Sequence, residues 1–259
     1  MNKKAYYLFI LMTIWAHATW AQFNKNVVIA HRGAWKQQGF PENSLASLQQ
    51  AIALGCHGSE FDVHLTKDDS LVVNHDLEFY GMDIENSTYE ELMTKKHPNG
   101  EAIPTAEAYL RAGMKQKNTK LIFEIKSSKA GRARTLQLTR LAVDLVKRLK
   151  ARKWVEYICF DYEVGKLIHQ LDPKAQIAYL NGDIPPSQVK KDGYTGIDYH
   201  YNVFKEHPSW IQEAHDLGLR VNVWTVNEEA EMKNLLSQQV EYITTNEPEL
   251  LFRVLEDKK

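Results

Sequence analysis

Residues 58–76, GSEFDVHLTKDDSLVVNHD, decide how the rest of the chain is read. Glu60, Asp62 and His64 fall on alternate positions of a strand and share one face; Phe61, Val63 and Leu65 share the other. Lys67-Asp68-Asp69 makes a turn, and LVVNH forms a short companion strand that carries His75 back toward the acids. A face with two carboxylates must meet water or a cation, because an ionised carboxyl buried alone is too costly.

The surroundings of this stretch choose between the two. Apolar strand-like runs alternate with helix-like ones from Val27 onward: VVIAH with ENSLASLQQAIALG, KLIFEIK with RARTLQLTRLAVDLVKRLKAR, and shorter pairs to the C-terminus. About eight such units meet the requirement of a (β/α)₈ TIM barrel, an α/β fold. An open doubly wound sheet would want a glycine-rich loop after its first strand, and that strand ends instead in His31-Arg32-Gly33. Residues 76–103 are too long for an ordinary loop and read as a small insertion after the second barrel strand, beside the mouth.

In a parallel barrel no strand face is washed by water along its length, and catalytic groups gather at the C-terminal strand ends. His31, Arg32, Glu60, Asp62, His75, Glu124 and Lys126 all fall there. Three acids (Glu60, Asp62, Glu124) against two bases (Arg32, Lys126) leave a deficit that one divalent cation would fill. The plain alternative is a set of internal salt bridges. All-carboxylate ligation suits Mg²⁺ or Ca²⁺ better than zinc, which leaves both histidines free for proton transfer. Trp224 and His200 project from later strand ends as candidate pocket walls, while His64 points above the acids.

The N-terminus reads as a cleaved export signal, residues 1–21: a basic Asn2-Lys3-Lys4 start, the apolar YYLFILMTIWA, and small residues up to Ala21. The run is shorter than the ~20 residues of a bilayer span, so no stable membrane insertion is expected after cleavage. Residues 22–259 would then act in the periplasm or outside the cell. A formal charge of −1 offers nothing to nucleic acid. Cys56 and Cys159 fall on non-neighbouring strands and are expected to stay unpaired and buried.

The ordered set IAHRG, PENS, SEFDVHLT, VVNHD, IPTAEAYL, FEIK and NVWTVN resembles the glycerophosphodiester phosphodiesterase family over residues 28–250. The resemblance implies a metal-dependent TIM-barrel enzyme that hydrolyses glycerophosphodiesters, small-molecule substrates, to glycerol 3-phosphate and an alcohol. It implies His31 and His75 as the acid/base pair, Glu60, Asp62 and Glu124 as ligands of one Mg²⁺ or Ca²⁺, and Arg32 and Lys126 as phosphate holders, with Trp224 on the glycerol side. It also implies attack by the neighbouring glycerol hydroxyl, a cyclic phosphate, and its opening by water, with His31 assigned as first base and His75 as first acid. A lysophospholipase D-type enzyme would instead show exposed Phe79, Tyr80 and Met82, and a catalytically silent phosphate-binding barrel would have lost one of these residues. Three positions depart from the family pattern: Leu77 with EFYGMDIENS after His75-Asp76, Asn246 after Thr245 in place of Asp, and Asp69 in place of Gly.

Overall fold

Short, β-branched and aromatic-rich runs form eleven strands in the structure, a computed structural model describing residues 23–257. They are β1 (Val28–Ala30), β2 (Gly58–Leu65), β3 (Leu71–Val73), β4 (Glu78–Phe79), β5 (Met82–Asp83), β6 (Lys120–Ile125), β7 (Val155–Cys159), β8 (Ile177–Tyr179), β9 (Gly196–His200), β10 (Arg220–Trp224) and β11 (Tyr242–Thr245). Eight of them pair in parallel in the cycle β1-β2-β6-β7-β8-β9-β10-β11 and back to β1, a closed barrel ringed by helices. This is the expected (β/α)₈ architecture. The expected leader lies outside the described residues.

The helices bury one stripe each. Leu45–Ala53 starts at Ser44, whose hydroxyl accepts from the Ser47 amide, and turns Leu48 and Ala51 inward. The long Arg132–Arg148 helix packs Leu138, Ala142, Val143 and Val146 against the sheet at helical spacing. Cys56 and Cys159 are buried in this outer core and unpaired.

Inside the barrel, Ile29, Ile122, Ile158 and Leu180 make an apolar layer. Beneath it Glu156 joins Lys120 (3.4 Å) and Arg220 (3.0 Å), and His57 stacks on Tyr242 with ring centroids 4.3 Å apart. Layer and ion network enclose a void of about 30 Å³, room for roughly one water, so the N-terminal end of the barrel is plugged.

The mouth is shaped by β2. Its pairing with β6 sets Asp62 opposite Glu124, and a one-residue slip would turn every acid outward. Beyond the turn, β3 runs antiparallel to β2, with Val73 opposite Val63, and the Asn74 amide donates to the Asp62 carbonyl. His75 is thereby brought back beside the acids. The segment that follows has its own small core of Val72, Phe79, Ile84, Leu92 and Ile103. It contains a β4–β5 hairpin that the sequence pattern did not announce, since strands of two residues are too short to show alternation. The two hairpin residues, Tyr80 (φ 47°) and Gly81 (φ 85°), both have the positive φ of a primed turn.

Gly33 shows how tightly the first loop is drawn. Its φ is +80°, and a Cβ there would stand 2.7 Å from the backbone carbon of Ser47. Gly33→Ala is expected to destabilise the fold by about 2–4 kcal/mol, the sum of left-handed strain and overpacking against backbone. Thermal unfolding should then shift down by roughly 5–15 °C. An unchanged melting temperature would show that the loop relaxes freely.

Candidate active site

The first βα loop turns at Arg32, whose backbone is left-handed (φ 57°), an uncommon conformation for arginine. That turn points the Arg32 amide at Glu60, and N–H donates to Oε2 at 2.8 Å. Asn43, also left-handed, clamps Asp62 from both sides: its Nδ2 donates to Oδ2 at 2.8 Å, and its Oδ1 accepts from the Asp62 amide at 3.1 Å. The loop that carries the first histidine therefore also aims two acids.

Glu60, Asp62 and Glu124 bring one carboxylate oxygen each to within 4.8 Å of one another. All three are buried, Glu60 and Asp62 at 1% exposure. Glu60 Oε1 has no hydrogen-bond partner. Lys126 Nζ stands 3.1 Å from Asp62 Oδ1 and 2.9 Å from Glu124 Oε1, without hydrogen-bond alignment to either oxygen. Burial, with Asp62 and Glu124 close by, holds the Glu60 carboxyl well above its ordinary range. Burial and Asp62 push Glu124 up to about 7. For Asp62 burial also acts upward, but Lys126, His75, Asn43 and His31 together bring it down. One ammonium thus does not neutralise three acids. The orphaned oxygens and the hard donor set fit a divalent cation.

The two histidines face the same cavity with different partners. His31 Nδ1 donates to Asn246 Oδ1 at 2.7 Å, which leaves Nε2 as the lone-pair nitrogen, 4.0 Å from Glu60. Burial, then Arg32, lowers the His31 ring to about 4, so it is neutral at physiological pH. His75 Nδ1 donates to Asp76 Oδ1 at 2.7 Å. His64 is 2% exposed, and its Nε2–H donates to the His75 carbonyl at 3.0 Å; it holds the His75 loop from behind.

The cavity measures about 130 Å³ and is lined by His31, Arg32, Glu60, His75, Glu124 and Lys126 on one side. Ile158, Phe160, Leu180 and Trp224 form the opposite wall. The Trp224 indole donates to the Asp198 carbonyl at 2.8 Å, and its ring meets Phe160 edge-on. His200 corrects the sequence expectation, for it does not line the cavity. At the end of β9 its Nδ1 accepts from the Asn202 amide, capping the next helix, and its ring backs Trp224 at 5.2 Å.

Asp198 was not singled out from sequence. It is 1% exposed, lines the cavity, and its Oδ1 lacks a partner. Burial holds its carboxyl well above the ordinary range. The signal was present, since Asp198 lies two residues before the end of a barrel strand on an inward face. Phe160 and Leu180, each one residue past a strand end, follow the same rule.

The chain is similar to known proteins over most of its length. A model of the glycerophosphoryl diester phosphodiesterase family matches residues 31–250. A glycerophosphodiester phosphodiesterase of Caldanaerobacter subterraneus subsp. tengcongensis is 27% identical over 252 residues, spanning 89% of this chain and 98% of that protein. One of Bacillus altitudinis is 26% identical, spanning 90% and 99%. The crystal structure of a glycerophosphodiester phosphodiesterase from Parabacteroides distasonis superposes with a TM-score of 0.87 at 43% identity, covering 92% of this chain and 99% of the other.

Proposed function

Since the chain belongs to the glycerophosphoryl diester phosphodiesterase family, we propose that its mouth cavity hydrolyses glycerophosphodiesters to glycerol 3-phosphate and an alcohol by paired histidine catalysis beside one divalent cation. The observation that carries this reading is the meeting of His31, His75, Glu60, Glu124, Arg32 and Lys126 in one small cavity, with buried Asp62 completing the carboxylate cluster. Glu60, Asp62 and Glu124 would hold Mg²⁺ or Ca²⁺, which supplies positive charge for the phosphoryl oxygens as the transition state forms. Arg32 and Lys126 add fixed positive charge on the same side.

The partners of the two rings favour a division of labour. With Nδ1–H committed to Asn246, the neutral His31 offers Nε2 as base to the glycerol hydroxyl next to the phosphate. That oxygen bonds to phosphorus as its proton moves to His31, and the bond to the alcohol oxygen breaks. His75, with the Asp76 carboxylate behind it, donates the proton that the departing alcohol needs. Water then opens the cyclic phosphate by the reverse roles, giving its proton to His75 while His31 returns one to the glycerol oxygen. Both rings end as they began.

The lysolipid reading gains no support from the insertion. Phe79 is 2% exposed within the small core, and of its expected apolar display only Tyr80 is open, at 49%. Among the described residues no helix is long and apolar enough to cross a membrane. The leader-like N-terminus is what supports a reaction outside the cytoplasm. The deciding assay follows glycerol 3-phosphate release from glycerophosphocholine, glycerophosphoethanolamine and lysophosphatidylcholine. Turnover of the first two with little of the third is expected; the opposite ranking would overturn the assignment.

A further inference from the structure

The stretch NVWTVN puts Asn222 and Trp224 inside the barrel, whereas its last residue, Asn227, lies beyond the end of β10 and does not line the catalytic cavity. Asn227 reaches across to the loop that follows β11. Its Oδ1 accepts from the Asn246 amide at 2.9 Å and from the Thr245 hydroxyl at 3.2 Å. That hydroxyl in turn accepts from the Glu247 amide at 2.9 Å. One residue earlier, the Val226 amide donates to the Thr244 carbonyl at 3.0 Å. Residues 226 and 227 together grip the end of β11.

The gripped residues are the ones that hold His31. The His31 amide donates to the Thr245 carbonyl at 2.9 Å, and its ring Nδ1 donates to Asn246 Oδ1 at 2.7 Å. Placement matters because Asn246 is an amide. A carboxylate there, as in the family pattern, would accept with either oxygen. An amide has one accepting end and one donating end. Turned over, it would donate to Nδ1 and move the ring proton to Nε2. That N–H would face Glu60, 4.0 Å away, and leave no lone pair for the glycerol hydroxyl.

We propose that Asn227 is a positioning residue for His31: by fixing Thr245 and Asn246 it keeps the amide oxygen on Nδ1 and so selects Nε2 as the base. The inference rests on the phosphodiesterase reading and adds to it a residue outside the cavity. The chain of contacts runs from the β10 loop through the β11 loop to the β1 loop, and each link is a single hydrogen bond. A loss at Asn227 is therefore a loss at the ring, and it should appear in the rate rather than in substrate binding.

The test follows glycerophosphocholine hydrolysis and the NMR signals of the His31 ring nitrogens at neutral pH. Asn227→Ala should lower kcat about 10- to 100-fold and leave KM within about twofold. Asn227→Leu, of similar bulk and without an acceptor, should match it. Asn227→Asp keeps the acceptor and should stay within about threefold of wild type. Asn246→Ala should lose at least as much as Asn227→Ala, and the double variant should be at most about twofold worse than Asn246→Ala. The ring should be protonated on Nδ1 in wild type and Asn227→Asp, and shift toward the Nε2-protonated form in Asn227→Ala and Asn227→Leu. Multiplying losses, or an unchanged ring proton in the Ala and Leu variants, would overturn the proposal and leave the phosphodiesterase reading intact. A wild type that hydrolyses no diester would overturn that reading instead, and the ring signals would still decide whether Asn227 positions His31.

Discussion

Thorough chelation is expected to lower diester hydrolysis about a thousandfold, and Mg²⁺ or Ca²⁺ to restore it. The magnitude follows from several kcal/mol of charge stabilisation lost at the phosphoryl oxygens, at one decade per 1.36 kcal/mol. Glu60→Gln should reproduce most of the loss and resist rescue, because it removes a ligand and leaves its amide in the same buried place. If Glu60 and Glu124 hold the ion, protons should compete with it for both carboxyls, which are held above the usual range. Apparent ion affinity should therefore weaken as pH is lowered from about 8 to 6.

The same linkage sets the stability of the ion-free protein. Glu124 binds its proton more tightly folded, at about 7, than at its ordinary 4.5, so its contribution to stability is lost as pH rises through that window. An ion at about 100 times its Kd should add about 2.7 kcal/mol, a rise in Tm of roughly 5–10 °C, with the largest rise above neutral pH. A chelated enzyme with full activity and no ion-dependent shift in Tm would remove the metal from the account.

The second large effect belongs to the histidines. His31→Ala should lower kcat by about 10²–10⁴-fold with little change in KM, and His75→Ala should do the same. Acting in one proton circuit, the two losses should not multiply: the double variant should be only slightly worse than the poorer single one. The leaving group separates the roles. With an activated, weakly basic alcohol such as p-nitrophenol, His75→Ala should recover most of the rate of the first, cyclising step, read as a single-turnover burst of p-nitrophenol, and His31→Ala should not. Recovery by His31→Ala instead would exchange base and acid.

How far the site could be read from sequence depends on which part of it is regular. Glu60, Asp62 and Glu124 lie on long inward-facing strand runs, and Lys126 one residue past the end of β6, where period-two parity alone tells the face. The closed barrel then forbids a wet one. The helices and the barrel follow from the same periodicities. Turns and caps are another matter. Nothing in Pro41-Glu42-Asn43-Ser44 says that Asn43 will grip Asp62 from two directions, since that contact joins residues 19 apart through a left-handed turn. His200 misled for the same reason: parity places its Cα on the cavity side, but the strand ends there and the ring turns to cap the next helix. Asn246 could be noted as a departure from the family pattern, and only the fold shows that it orients the ring of His31.

The plugged lower end of the barrel has a consequence for traffic. With Glu156, Lys120 and Arg220 closing the floor, a ligand of the mouth cavity has no way out through the N-terminal end of the barrel. If the proposed reaction takes place there, substrate and both products pass through the mouth, and the product held by Arg32 and Lys126 should be the last to leave. Glycerol 3-phosphate is then expected to inhibit competitively against substrate, and the alcohol to inhibit without competing for the empty enzyme.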